Sequence, residues 1–99
     1  MITSAAPAAA TLSPLYTVPT GKTFTGRIVC TCTGADTTVR VSVAPGGAAD
    51  EPKQYVLYDS ELLAGGSIAT APLDLDAGDV VRVRSVSGAV NFHLTGILT

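Results

Sequence analysis

The sequence predicts an all-β chain folded as a single antiparallel β-sandwich, jelly-roll-like in outline, with seven or eight short strands. Three observations carry this. Alternating apolar and polar residues recur along the chain, each run ended by Gly, Pro or Asp. Eleven valines and thirteen threonines supply side chains that are stiff at χ1 and suit a pleated, half-buried surface. No segment keeps a helical period. A chain of 99 residues makes one domain, so the sandwich spans residues 12–99 after an N-terminal arm of residues 1–11.

The arm is small, polar and alanine-rich with Pro7 inside it, and it cannot bury enough surface to offset the entropy of being ordered alone. It reads as flexible until a neighbouring subunit orders it. Leu15-Tyr16-Thr17-Val18 forms the first short strand of the sandwich, placed at a sheet edge by Pro14 and ended by the turn Pro19-Thr20-Gly21-Lys22.

From Thr23 to Thr33, Phe24, Ile28, Cys30 and Cys32 fall on one parity and Thr25, Arg27, Thr31 and Thr33 on the other. One face is buried and one is wet. Thr33-Gly34-Ala35-Asp36 supplies a turn into Val39, Val41 and Val43, which alternate with Thr38, Arg40 and Ser42, so the two strands read as a hairpin. Residues 45–52 are loop by composition, with no apolar anchor.

The next strand, Gln54 to Asp59, carries apolar side chains on both parities, which predicts that neither of its faces is fully wet. Glu61-Leu62-Leu63-Ala64 then reads as a helical turn or a bend, and Ser67-Ile68-Ala69-Thr70 as a short strand. Leu73 to Asp79 leads through a tight turn at Gly78 into Val80-Val81-Arg82-Val83-Arg84, with Val81 and Val83 inward and the arginines outward. After Ser87-Gly88, Val90, Phe92 and Leu94 alternate with Asn91, His93 and Thr95 in the last strand.

Charge and composition narrow the function. Six Lys+Arg against eight Asp+Glu give a net charge of −2, which lacks the basic excess that neutralises a phosphate backbone, so nucleic acid is not expected as a partner. No apolar run approaches the roughly 20 residues of a membrane-spanning helix. The first ten residues lack the basic and leucine-rich regions of a secretory signal. Cys30 and Cys32 sit on one strand face with near-parallel Cβ vectors, a geometry that suits a disulfide poorly, and read as reduced core thiols.

Residues that could carry chemistry are few. The one histidine, His93, falls on the wet parity, opposite in direction to the cysteines, so no nucleophile and base are predicted to meet and the chain reads as non-enzymatic. Asp74, Asp76 and Asp79 around Gly78 are weak candidates for calcium; the alternative is turn chemistry in which Asp79 caps backbone N–H groups. No cofactor is expected. Arg27, Arg40, Arg82 and Arg84 lie on wet parities and could meet an acidic neighbour. Tyr16, Tyr55, Val56, Tyr58 and Val80 are the apolar side chains left for a subunit interface, the tyrosines also allowing a glycan platform.

The runs LYTVPTGKTFTGRIVCTCT, VRVSVAPGG, YVLYDSELLAGGS and LDLDAGDVVRVRSVSGAVNFHLTGI, in that order over residues 15–98, resemble small β-sandwich virion proteins of tailed bacteriophages. Val-Pro-x-Gly-Lys, Val-Ala-Pro-Gly-Gly and Leu-x-Ala-Gly-Asp-x-Val-x-Val carry the resemblance, while the paired cysteines depart from the valine or polar residues expected in that strand. The resemblance implies a structural protein made in the host cytoplasm and resident in the virion. Its expected role is capsid decoration or cementing as a homotrimer bound to the major capsid protein. The alternatives are a tail, baseplate or fibre component, or a carbohydrate-binding module for host attachment. A core of this size buries only roughly 60–65% of the unfolded surface, so assembly would also help the fold.

Overall fold

The computed structural model describes residues 3–99. Its strands are β1 (Thr3–Ala5), β2 (Ser13–Thr17), β3 (Phe24–Cys32), β4 (Thr37–Ala44), β5 (Tyr55–Leu62), β6 (Ser67–Ala69), β7 (Leu73–Leu75), β8 (Val80–Ser85) and β9 (Val90–Leu98). Two antiparallel sheets pack into a sandwich. Sheet A has the order β1-β9-β3-β6, with β7 also paired to β3, and sheet B the order β2-β8-β4-β5.

The predicted parities hold. Phe24, Ile28, Cys30 and Cys32 of β3 and Val90, Phe92 and Leu94 of β9 point from sheet A into the core, where they meet Val39, Val41, Val81 and Val83 of sheet B. Burying such side chains is the main stabilising term of a fold with so few ion pairs. Both cysteines are free and buried, and burial pushes the Cys30 thiol up to about 12.

Alternation does not say which sheet a strand joins. The expected β3–β4 hairpin is not formed: β3 pairs with β9 and β4 with β8, and the short link at Thr33–Asp36 carries the chain from one sheet to the other. Each strand has one buried face in either arrangement, so parity alone could not separate them. Gly34 lies on this crossing, where an added Cβ would meet the Ala89 Cβ at 2.8 Å.

The arm also differs from expectation. Thr3–Ala5 pairs with β9 of the same chain, Ser4 opposite His93, and Ala10 N–H donates to the Ser85 carbonyl at 2.7 Å. The expectation for residues 1 and 2 lies outside the described residues. Pro14 does mark an edge: β2 borders sheet B and its register shifts between Pro14 and Tyr16.

Sheet A changes partner along β3, from β7 beside Phe24–Gly26 to β6 beside Val29–Thr31. Ile28 falls in the gap, and Thr70 closes it by accepting the Ile28 N–H at its hydroxyl (3.1 Å) and donating its own N–H to the Ile28 carbonyl (3.0 Å). A buried ladder position is thereby satisfied without a strand beside it.

Candidate functional site

The outer face of sheet B gathers most of the chain's interacting side chains. On β4, Arg40 points outward beside the buried Val39 and Val41, whereas Ser42, expected on the wet parity, is covered and fully buried; Arg84 lies directly opposite Arg40, and Arg82 opposite Ser42. On the other side of β4 stands β5, which the sequence reads as apolar on both parities. The structure supplies the reason. Two register shifts, one on either side of Val41, make β5 bulge twice, so Leu57 faces the core beside Val41 while Tyr55 comes out beside Ser42. Asp59 takes a left-handed φ of 49° in the second bulge, a conformation that Asp tolerates better than most residues.

The bulges bring Tyr55 and Tyr58, which strict alternation would set on opposite faces, into an edge-to-face pair with centroids 5.0 Å apart. Arg40 lies over the Tyr58 ring at 4.2 Å and donates from Nε and Nη2 to the two Asp59 carboxylate oxygens at 2.6 and 3.0 Å. The Tyr55 hydroxyl donates to Asp50 at 2.9 Å, and burial together with that bond raises its pKa. Arg82 donates to the Ala48 carbonyl at 2.9 Å, so the loop after β4 is anchored by side chains rather than free. Gln54 adds to this by donating to the Ala49 carbonyl at 2.8 Å.

The hydrogen bond from Arg40 holds the Asp59 carboxyl below the usual carboxylate range, partial loss of water opposing it and the charges of Arg40 and Arg84 assisting. A depressed folded pKa contributes stability above the unfolded carboxylate range, and that contribution is lost as pH falls through the folded value. Urea midpoints measured between about pH 5 and about pH 2 should therefore fall less steeply in Asp59→Asn than in the parent. An identical slope in the two proteins would show that the pair adds nothing to the fold.

Beyond this cluster, Asp36, Thr38, Asp59, Glu61, Val86 and Ser87 border an open groove of about 470 Å³ at one end of the face. Among the described residues the ion pairs are Arg40–Asp59 and Lys53–Glu51, so the Arg84 and Glu61 charges are unpaired there.

The other candidate residues fall elsewhere. Tyr16 turns inward, its ring 6.1 Å from Phe24, and is half-buried within its own chain. Val80 is half-buried on the outer face, where the Pro45–Gly47 turn covers part of it. Val56 is exposed at the β5 bulge beside an open, mainly apolar cavity of about 450 Å³ reaching Leu73 and Leu75 of the other sheet. Asp74, Asp76 and Asp79 do not converge. Asp79 accepts the Gly46 and Asp76 backbone N–H groups at 3.0 and 2.9 Å, and Asp74 accepts the Thr25 hydroxyl at 3.0 Å. Among the described residues no three His, Cys, Asp or Glu side chains gather in a metal-binding group.

His93 is exposed on the outer face of sheet A beside Ser4 and Asn91, while Cys30 and Cys32 point to the core from that sheet's other side. The arrangement is a pre-shaped Arg–Tyr–carboxylate surface, and among the described residues His93 and the cysteines are not set beside one another. Sequence reasoning found its arginines and tyrosines one by one and missed Asp59, whose only sequence signal is a charge interrupting an apolar strand. Compared with protein-family models, with curated proteins and with solved structures, the chain matches none.

Proposed function

We propose that this chain is a non-enzymatic structural protein of a tailed-phage virion, a decoration subunit that self-associates and binds other virion proteins, the major capsid protein first among them. A tail, baseplate or fibre position is the same role at another place on the particle. The observation that carries the reading is the outer face of sheet B. Tyr58 is 58% exposed yet held by Arg40, which is itself held by Asp59. Tyrosine and arginine are the residue types enriched at protein interfaces, and a side chain already immobilised loses less entropy on docking. The resemblance carried by the motifs over residues 15–98 supports the same reading.

A glycan platform fits this face less well. A sugar stacks on an open ring, whereas Arg40 covers one side of Tyr58 and Tyr55 packs against it edge to face.

Sedimentation of the purified chain with tailed-phage particles that carry its gene tests the reading. Saturable attachment at micromolar protein is expected. Particles that bring down no protein at micromolar concentration would overturn it.

A further inference from the structure

We propose that the outer face of sheet B docks on the same face of a second copy of this chain, with β8 of each copy lying over β5 of the other about a twofold axis parallel to the strands. The inference rests on the reading of the chain as an assembly subunit and specifies one of its contacts.

The charges of the face are sorted by strand. β8 presents Arg82 and Arg84, β5 presents Asp59 and Glu61 with Tyr55 and Tyr58, and β4 lies between them. Arg40 and Arg84 stand directly opposite each other across the ladder, a like-charge placement that costs stability unless an anion lies near. Among the described residues Asp59 serves Arg40 with both oxygens, which leaves Arg84 with only a longer-range attraction to Asp59 and Glu61 with no ion-pair partner. A twofold operation turns this asymmetry into complementarity, because an isologous contact repeats every pairing twice. Arg84 of each copy then lies over β5 of the other at the level of Tyr58 and Asp59, with Glu61 at the next outward position and within reach of the long guanidinium side chain. Tyr58 and Val86, 58% and 50% exposed, supply the apolar part.

The expected strength follows from size. Four strands about 4.8 Å apart, each offering roughly six residues at about 3.3 Å, give a face of about 400 Å². Doubled, that is about 800 Å², below the roughly 1,200 Å² of a stable standard interface. The contact therefore forms at high local concentration, as on a particle surface, and its charge pairs set orientation more than affinity.

Sedimentation equilibrium from micromolar to millimolar protein is the test. The mass is expected to rise from one chain of 10.0 kDa toward two, more readily at low salt. Arg84→Glu and Glu61→Arg should each weaken association about tenfold. The double variant should recover it, and mixing the two single variants should give a heterodimer tighter than either homodimer. Circular dichroism of each variant checks that the fold is kept, and Arg84→Gln, which removes the charge without reversing it, should fall between. A monomer throughout, a mass settling at three chains as the family resemblance implies, or a dimer indifferent to both reversals would overturn the contact. Particle attachment separates this inference from the wider reading. A wild-type monomer that still attaches defeats only the twofold contact, whereas a dimer that never attaches defeats only the virion role.

Discussion

Gly26→Ala is expected to destabilise the protein by about 3 kcal/mol or more, through overpacking that the surrounding backbone cannot relieve. For a domain of this size that lowers Tm by roughly 12–24 °C. Gly26 of β3 lies opposite Gly96 of β9, and the Phe24 side chain folds back over the pair. A Cβ at position 26 would collide with the Thr95 carbonyl oxygen, and it would come within 2.6 Å of the Phe24 Cζ and 2.7 Å of the Gly96 Cα. Two of these are backbone atoms in the longest ladder of the molecule, so relief requires parting β3 from β9. Thr25→Ala is the reference: it removes one exposed hydrogen bond to Asp74, at a cost of about 1 kcal/mol or less. If thermal melts place Gly26→Ala within 1 kcal/mol of that reference, the two strands do not approach as closely as described here.

Phe24→Ala should cost about 4 kcal/mol, a large part of the 5–15 kcal/mol that holds a domain of this class together. The ring is fully buried at the start of β3, beside the glycine pair and 6.1 Å from the Tyr16 ring of the other sheet. The valine, leucine and isoleucine side chains that make up most of the remaining core are held in place by the sheet registers and cannot collapse into the space left. Urea unfolding should show a lower midpoint with an unchanged slope, whereas a changed slope would mean that compactness, and not only stability, had been altered. The two substitutions should also couple. The ring is one of the obstacles to a Cβ at position 26, so the double variant should be more stable than the sum of the singles predicts.

Much of the candidate site was legible as residue types and little of it as an arrangement. Arg40, Arg82 and Arg84 could be placed on wet faces because strand side chains alternate strictly. The same rule misplaced Tyr55 and Tyr58 relative to each other, since two bulges in β5 break the alternation that the rule assumes. Leu62 illustrates the same limit. It reads as part of a helical turn or a bend, yet β5 continues through it and buries it in the core.

The sequence alone determined the two-layer β architecture and the buried side chains of four strands: Phe24, Ile28 and the cysteines on β3, Val39 and Val41 on β4, Val81 and Val83 on β8, Phe92 and Leu94 on β9. A period of two and the turn residues are local properties, read within a few positions. Only the tertiary structure decided that β3 pairs with β9 and not with β4, that residues 3–5 pair with β9, and that Arg40, Tyr58 and Asp59 form one cluster. Arg40 and Asp59 are brought together by the β4–β5 pairing and its bulges, and Gly26 and Gly96 by the β3–β9 ladder. Such contacts follow from many pairings settled at once across the chain, and no short window of residues contains them.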